Sequence, residues 1–150
     1  MIFRIADEND FDSIVNIEVA AFNENAWTKN QLMEELASTK TKKCYVLEHN
    51  NEIIGYLMCR QIMDEHEIIN VAILPSIQGE GYGKLILEKY FDSIPDESSV
   101  FLDVKRTNYP AIKLYLGCGF EEIDIRQNYY HDGEDAIVMK KGNIKSHVMV

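Results

Sequence analysis

The run from Ile68 to Lys84, IINVAILPSIQGEGYGK, constrains the fold more than any other stretch of this chain. From Glu67 to Leu74 the residues are almost continuously apolar, the pattern of a short strand covered on both faces. Pro75 stops it, and Gly79, Gly81 and Gly83 then alternate with Glu80 and Tyr82. Beyond Lys84, the residues Leu85, Ile86, Tyr90 and Phe91 recur at helical spacing. A strand that feeds a helix through glycines belongs to an α/β domain. Successive exposed N–H groups at such a turn, together with the helix N-terminus, make an anion site suited to a pyrophosphate. The glycines remove the Cβ atoms that would block it. The other reading is a glycine-rich turn that binds nothing.

Two familiar phosphate loops are excluded by spacing. A G-x-x-x-x-G-K-S/T loop needs glycine where Gln78 stands and a hydroxyl where Leu85 stands. A G-x-G-x-x-G loop begun at Gly79 would need glycine at Lys84, and begun at Gly81 it would need glycine at Ile86. What remains is Q-x-x-G-x-G.

Around this unit the chain reads β-α-α-β-β-β-α-β-α-β-β. Phe3–Ile5 is a short strand, and Asp7 offers an N-cap to a helix with the stripe Phe11, Ile14, Val15, Ile17 and Phe22. Thr28 and Gln31 have capping-box spacing, with Trp27 and Leu32 placed as a hydrophobic staple, for a second helix that fades near Ser38 and Thr39. The segments 44–48 and 53–59 flank His49-Asn50-Asn51-Glu52 as a hairpin. Val100–Val104 reads as a strand and Asn108–Cys118 as a helix stopped by Gly119. Two last strands fall around 120–125 and 135–140. One domain spans 1–141, and 142–150 is expected as a loose tail.

The formal net charge of -10 over 150 residues argues against nucleic acid, which needs a basic footprint, and favours cationic partners. The three cysteines are far apart and lack a C-x-x-C or Cys/His cluster, so neither a metal nor a disulfide framework is expected. No secretory leader or membrane-length apolar run is read, and the expected setting is a reduced cytoplasm without membrane attachment.

With these residues in view, the strand, Pro75 and Gln78-x-x-Gly81-x-Gly83 resemble the acetyl-CoA pyrophosphate motif of the GNAT N-acetyltransferase superfamily. Asn108-Tyr109-Pro110-Ala111-Ile112-Lys113-Leu114-Tyr115, then Gly119-Phe120, is similar to that superfamily's N-x-x-A-x-x-L-Y-x-x-x-G-F. Arg126-Gln127-Asn128-Tyr129-Tyr130, followed by Asp132 to Met139, resembles the R-x-N-Y-Y…D-G-x-E-D-A-I-x-M region of ribosomal-protein-alanine N-acetyltransferases (RimI-like). Trp27-Thr28 is similar to their W-S/T element. The resemblance implies the GNAT fold, a mixed, mostly antiparallel sheet of about seven strands flanked by about four helices.

It also implies the chemistry: direct attack of a protein N-terminal α-amine, from an alanine-starting small-subunit ribosomal protein, on acetyl-CoA. The cofactor positions carried over are the backbone of Val71, Ala72 and Ile73, with Ile73 N–H as oxyanion donor. To these the resemblance adds the loop Gly79, Glu80, Gly81, Tyr82, Gly83 and Lys84, and Asn108. Tyr115 matches the tyrosine that protonates the departing thiolate, and a phenol of pKa ~10 is protonated at neutral pH. A peptide α-ammonium of pKa ~8 must lose a proton before attack. Asp103 is the candidate base, although RimI-like enzymes carry L-E-V-R where this chain reads Leu102-Asp103-Val104-Lys105. The aspartate is shorter by roughly 1.5 Å, one single bond. A bridging water could restore that reach. Alternatively, Asp103 is a strand-end carboxylate paired with Lys105 or Arg106. Trp27, Glu24, Tyr129 and Tyr130 are the expected walls of the substrate site. Glu18 and Glu24 lie where related N-terminal acetyltransferases carry substrate-facing acids, but the pattern reads them as a solvated helix face and loop. His66 and His131 read as exposed loop histidines, and Cys118 as a buried small hydrophobe. The alternatives kept open are a GNAT enzyme for a small-molecule amine and a non-catalytic acetyl-CoA sensor.

Overall fold

A computed structural model describes residues 1–37 and 39–142. Apart from Gly142, the expected tail lies outside the described residues. The elements follow the predicted order: β1 (Ile2–Ile5), α1 (Phe11–Phe22), α2 (Lys29–Leu36), β2 (Lys42–His49), β3 (Glu52–Ile62), β4 (Glu65–Ile73), α3 (Tyr82–Asp92), β5 (Ser99–Lys105), α4 (Tyr109–Gly117), β6 (Glu121–Arg126) and β7 (Ala136–Lys141). The strands form one 7-stranded sheet in the order β1-β2-β3-β4-β5-β7-β6. Every neighbouring pair is antiparallel except β4 and β5.

Local chemistry explains the boundaries. Thr28 accepts from Gln31 N–H at 3.2 Å while the Gln31 side chain returns to Thr28 N–H at 2.8 Å, the reciprocal cap expected for α2. The β2–β3 hairpin turns on Asn50 and Asn51, both left-handed at φ 52° and 63°, a conformation asparagine tolerates better than most side chains. Asp7 departs from expectation. It caps a single 3-10 turn, Glu8–Asp10, whose Asp10 carboxylate bonds back to Asp7 N–H at 2.8 Å, and α1 begins only after it. Asp10 is buried and also holds Arg4 through two contacts of 2.7 and 2.9 Å.

The sheet carries a hydrophobic layer on each face. Ile86, Leu87, Tyr90 and Phe91 of α3 and Tyr115 of α4 pack with Leu57, Ile68, Leu102, Val104 and Met139. Ile14, Val15 and Ile17 of α1 and Leu32 of α2 pack with Val46, Tyr56, Met58 and Ala72. Each such fully buried aliphatic side chain contributes roughly 1.5–3 kcal/mol. Trp27 joins the second layer, in keeping with its expected staple position.

Two sequence expectations are corrected here. His66 is not in an exposed loop: β4 starts before it, and its ring turns inward, 2 % exposed, with Nδ1 3.1 Å from the Tyr90 hydroxyl. Burial lowers its pKa. Glu18 is not on a solvated face: it is fully buried, four residues after Ile14 on the inner side of α1. His131 is exposed, and Cys118 closes α4 half-buried, its thiol pKa pushed up by burial.

Candidate active site

The site is built where the sheet stops being a sheet. β4 and β5 pair in parallel from Glu65–Ser99 to Ile68–Leu102 and then separate, although β4 runs on to Ile73 and β5 to Lys105. The other edge of β4 stays paired with β3 as far as Ile73–Gly55. Leu74 N–H donates to Ile54 O at 2.9 Å on that β3 side. Strand alternation therefore turns the amides of Ile73 and Val71 to the opposite edge, toward the split. The Ile73 carbonyl on that edge accepts from the Gln78 side chain at 3.0 Å. Gln78 is thus a residue of the site whose side-chain role sequence spacing did not disclose.

Beyond Ile73 the chain makes a 3-10 turn at Pro75–Ile77 and enters the glycines. Gly81 is the N-cap residue of α3 at φ 92°, and no side chain caps that helix. A Cβ on Gly81 would meet nothing within 4 Å, so the space beside this turn is open, and the first amides of α3, those of Tyr82, Gly83 and Lys84, have no partner within the helix. Gly83 serves packing: a Cβ there would stand 3.2 Å from Leu114 of α4. Glu80 is exposed, and exposed Lys84 lies 3.9 Å from Glu88. This uncapped helix end fits an anionic phosphate chain, and the unpaired edge of β4 fits an extended amide-bearing arm. Asn108 caps α4, its side-chain oxygen accepting from Ala111 N–H at 3.3 Å, which leaves its NH2 hydrogens for a ligand.

The other lip of the split carries ionisable groups. Alternation along β5 buries Val100, Leu102 and Val104 and turns Asp103 and Lys105 to the opposite face. The β5–β7–β6 register then brings Arg126 across to Asp103, Nε to Oδ1 at 3.6 Å. The suggested partners of Asp103 were Lys105 or Arg106, and this is corrected. Lys105 instead binds Asp132 at 2.6 Å, and Arg106 binds Asp135 at 3.1 Å. Both pairs pin the β6–β7 connection onto the end of β5. Tyr129 and Tyr130, on that connection, meet edge-on at 5.2 Å, and each faces a cation, Arg126 at 5.7 Å and Lys105 at 5.3 Å.

Tyr130 links the two chemical candidates. Burial first, and then the nearby Asp103 carboxylate, push its pKa to about 12. Tyr115 is 8 % exposed against Phe120 and is likewise pushed to about 12, by burial first and then by Cys118 and Tyr130. It stays protonated across any ordinary working pH. The remaining expected wall residues lie on the α1–α2 connection. Glu24 is exposed in a 3-10 turn at Asn23–Asn25, and Trp27 is half-buried after it. Among the described residues, no group of three or more His, Cys, Asp or Glu could hold a metal ion, and no helix is long and apolar enough to cross a membrane.

A strand that splays from its neighbour, a helix started by glycine without a side-chain cap and a buried, protonated tyrosine are the features expected of one class of acyl-transfer site. The family described as the acetyltransferase (GNAT) family matches residues 9–120, and this chain belongs to it. It is an N-acetyltransferase, and enzymes of this family use acetyl-CoA as co-substrate. Among its relatives, the ribosomal protein bS18-alanine N-acetyltransferase of Haemophilus ducreyi is 33% identical over 138 residues, covering 88% of this chain and 93% of that protein. The enzyme of the same name from Haemophilus influenzae is 41% identical over 99 residues, 62% of this chain and 67% of that one. The crystal structure of the ribosomal-protein-S18-alanine N-acetyltransferase from Escherichia coli superposes with a TM-score of 0.86 at 26% identity, over 95% of this chain and 93% of that one.

Proposed function

We propose that the chain acetylates the N-terminal α-amine of a protein in the cytoplasm, and that its substrate is a small-subunit ribosomal protein beginning with alanine. The likeness to relatives bearing that name, across nearly the full length of the chain, carries the substrate reading. The split between β4 and β5 supports the chemistry.

Bound acetyl-CoA supplies an acetyl thioester. The amides of Gly79, Glu80, Gly81, Tyr82, Gly83 and Lys84, at the positive end of α3, hold its phosphates, with Asn108 beside them. The backbone of Val71 and Ile73, on the open edge of β4, pairs with its extended arm, with Ala72 between them held to β3. Ile73 N–H, fixed in direction by the β3 pairing, donates to the acyl oxygen where negative charge grows. Asp103 accepts a proton from the substrate ammonium through one water, since its side chain is short. Arg126, 3.6 Å away, orients that carboxylate. Tyr115 donates to the leaving sulfur. Glu24 and Trp27 on the α1–α2 connection and Tyr129 and Tyr130 on the β6–β7 connection form two walls around the incoming terminus, and the net charge of -10 suits a basic partner.

The test is CoA release with acetyl-CoA and a short basic peptide bearing a free N-terminal alanine, against the same peptide already N-acetylated. Turnover on the free α-amine alone is expected, with mass spectrometry locating the acetyl group. Tight acetyl-CoA binding without peptide turnover would move the substrate to a small amine or make the protein a sensor.

A further inference from the structure

The buried Glu18 is unused by the chemistry above and makes three hydrogen bonds. Its carboxylate accepts from the Tyr56 hydroxyl of β3, from Asn70 Nδ2 of β4 at 2.6 Å, and from the main-chain N–H of Trp27 at 2.9 Å. Asn70 Nδ2 also lies 3.2 Å from the Tyr56 oxygen, which closes the cluster. All three donors are neutral. A core position of this kind would be filled at less cost by a leucine, because a carboxylate loses its hydration on burial. What a carboxylate alone provides is acceptance from several donors at once with no donor of its own.

The geography gives that property a use. Trp27 N–H follows the Asn23–Asn25 turn, where Asn23 stands at φ 49° and Ala26 N–H bonds back to Asn23 O at 3.1 Å. Asn70 immediately precedes Val71–Ile73, the unpaired edge of β4. One carboxylate therefore spans the wall segment and the strand that faces the acetyl group. We infer that Glu18 is a positioning residue that fastens the substrate wall, Asn23 to Trp27, to β4 and so sets the height of that wall above the reacting carbonyl. The inference rests on the reading of this segment as a substrate wall.

Trp27 is the one tryptophan of the chain, so its fluorescence reports on the segment without any substrate. Glu18→Gln keeps the shape but offers a single acceptor oxygen and brings two hydrogens into a place where three donors already converge. In this variant, acrylamide quenching of Trp27 is expected to rise about twofold. The KM for an alanine-starting basic peptide is expected to rise about tenfold, while the KM for acetyl-CoA stays within twofold. Unchanged quenching overturns the inference, as does a fall in kcat with both KM values and quenching unchanged. Raised quenching with unchanged peptide KM shows a fastened segment that is no substrate wall, and so refutes the underlying reading instead. Should circular dichroism show that Glu18→Gln does not fold, Tyr56→Phe and Asn70→Ala, which keep the carboxylate, must move quenching and peptide KM in the same direction. If they do not, the inference fails.

Discussion

Replacing Tyr115 by phenylalanine tests how the leaving sulfur is handled. A thiol has pKa ~8.5, whereas burial holds the Tyr115 phenol at about 12. Complete proton transfer from phenol to thiolate is then uphill by roughly 3.5 units, or about 5 kcal/mol at 1.36 kcal/mol per unit. The balance favours a hydroxyl that keeps its proton and stabilises the thiolate by hydrogen bonding. Such a bond to a charged acceptor contributes about 1.5–3 kcal/mol. Tyr115→Phe should therefore lower kcat by about 10- to 150-fold, with the KM for acetyl-CoA within threefold. The assay is steady-state thiol release, read with a chromogenic disulfide, at saturating acetyl-CoA and peptide from pH 6 to 10. No descending limb from the phenol is expected over that range. A loss beyond ~10³, together with a wild-type descending limb near pH 9 that vanishes in the variant, would refute the reasoning and restore full proton transfer.

Gly81→Ala places a Cβ on a residue at φ 92° and so strains the turn that presents the first amides of α3; the Kd for CoA should rise at least tenfold by calorimetry with peptide KM unchanged. An unaltered Kd would remove the helix start from the phosphate site. Asp103→Asn should lower kcat/KM by about 10²–10⁴; a change below threefold would transfer the base role elsewhere. Asp10 contributes to stability with a definite sign. Arg4 holds its carboxyl below the ordinary value, so the stabilisation is complete above pH ~4 and is lost as pH falls through the lowered folded pKa. Urea midpoints measured between pH 5 and 2 should therefore fall more steeply for the wild type than for Asp10→Asn, and parallel curves would contradict this.

Much of the fold could be read from single residues because their chemistry is local. The Thr28/Gln31 cap, the Asn50-Asn51 turn and the Gly81 helix start each depend on neighbours within a few positions. The misjudged residues depend on partners far along the chain. Asp103 meets Arg126 only because β7 lies between β5 and β6, an order that no local pattern specifies. Glu18 is buried only because Tyr56 and Asn70 stand opposite it, 38 and 52 residues onward. A signal was nevertheless present. Glu18 follows Ile14 by one helical turn and adjoins Ile17, so it sits on the apolar stripe, where a carboxylate requires partners. His66 was misplaced through an error of two residues in the start of β4, which was enough to move its ring from solvent into the core.

The four-pair contact between β4 and β5 has a consequence for how the enzyme comes into being. β2, β3 and β4 are consecutive hairpins and can zip from their turns, whereas β4 and β5 are joined through the whole of α3 and must wait for that crossover. The proposed donor to the acyl oxygen, Ile73 N–H, belongs to the first part and the candidate base to the second. The proposed site thus lies at a seam between two pieces of chain whose contacts close over different sequence separations. In refolding, secondary structure would return before turnover does, and the delay between the two would time the closing of that seam.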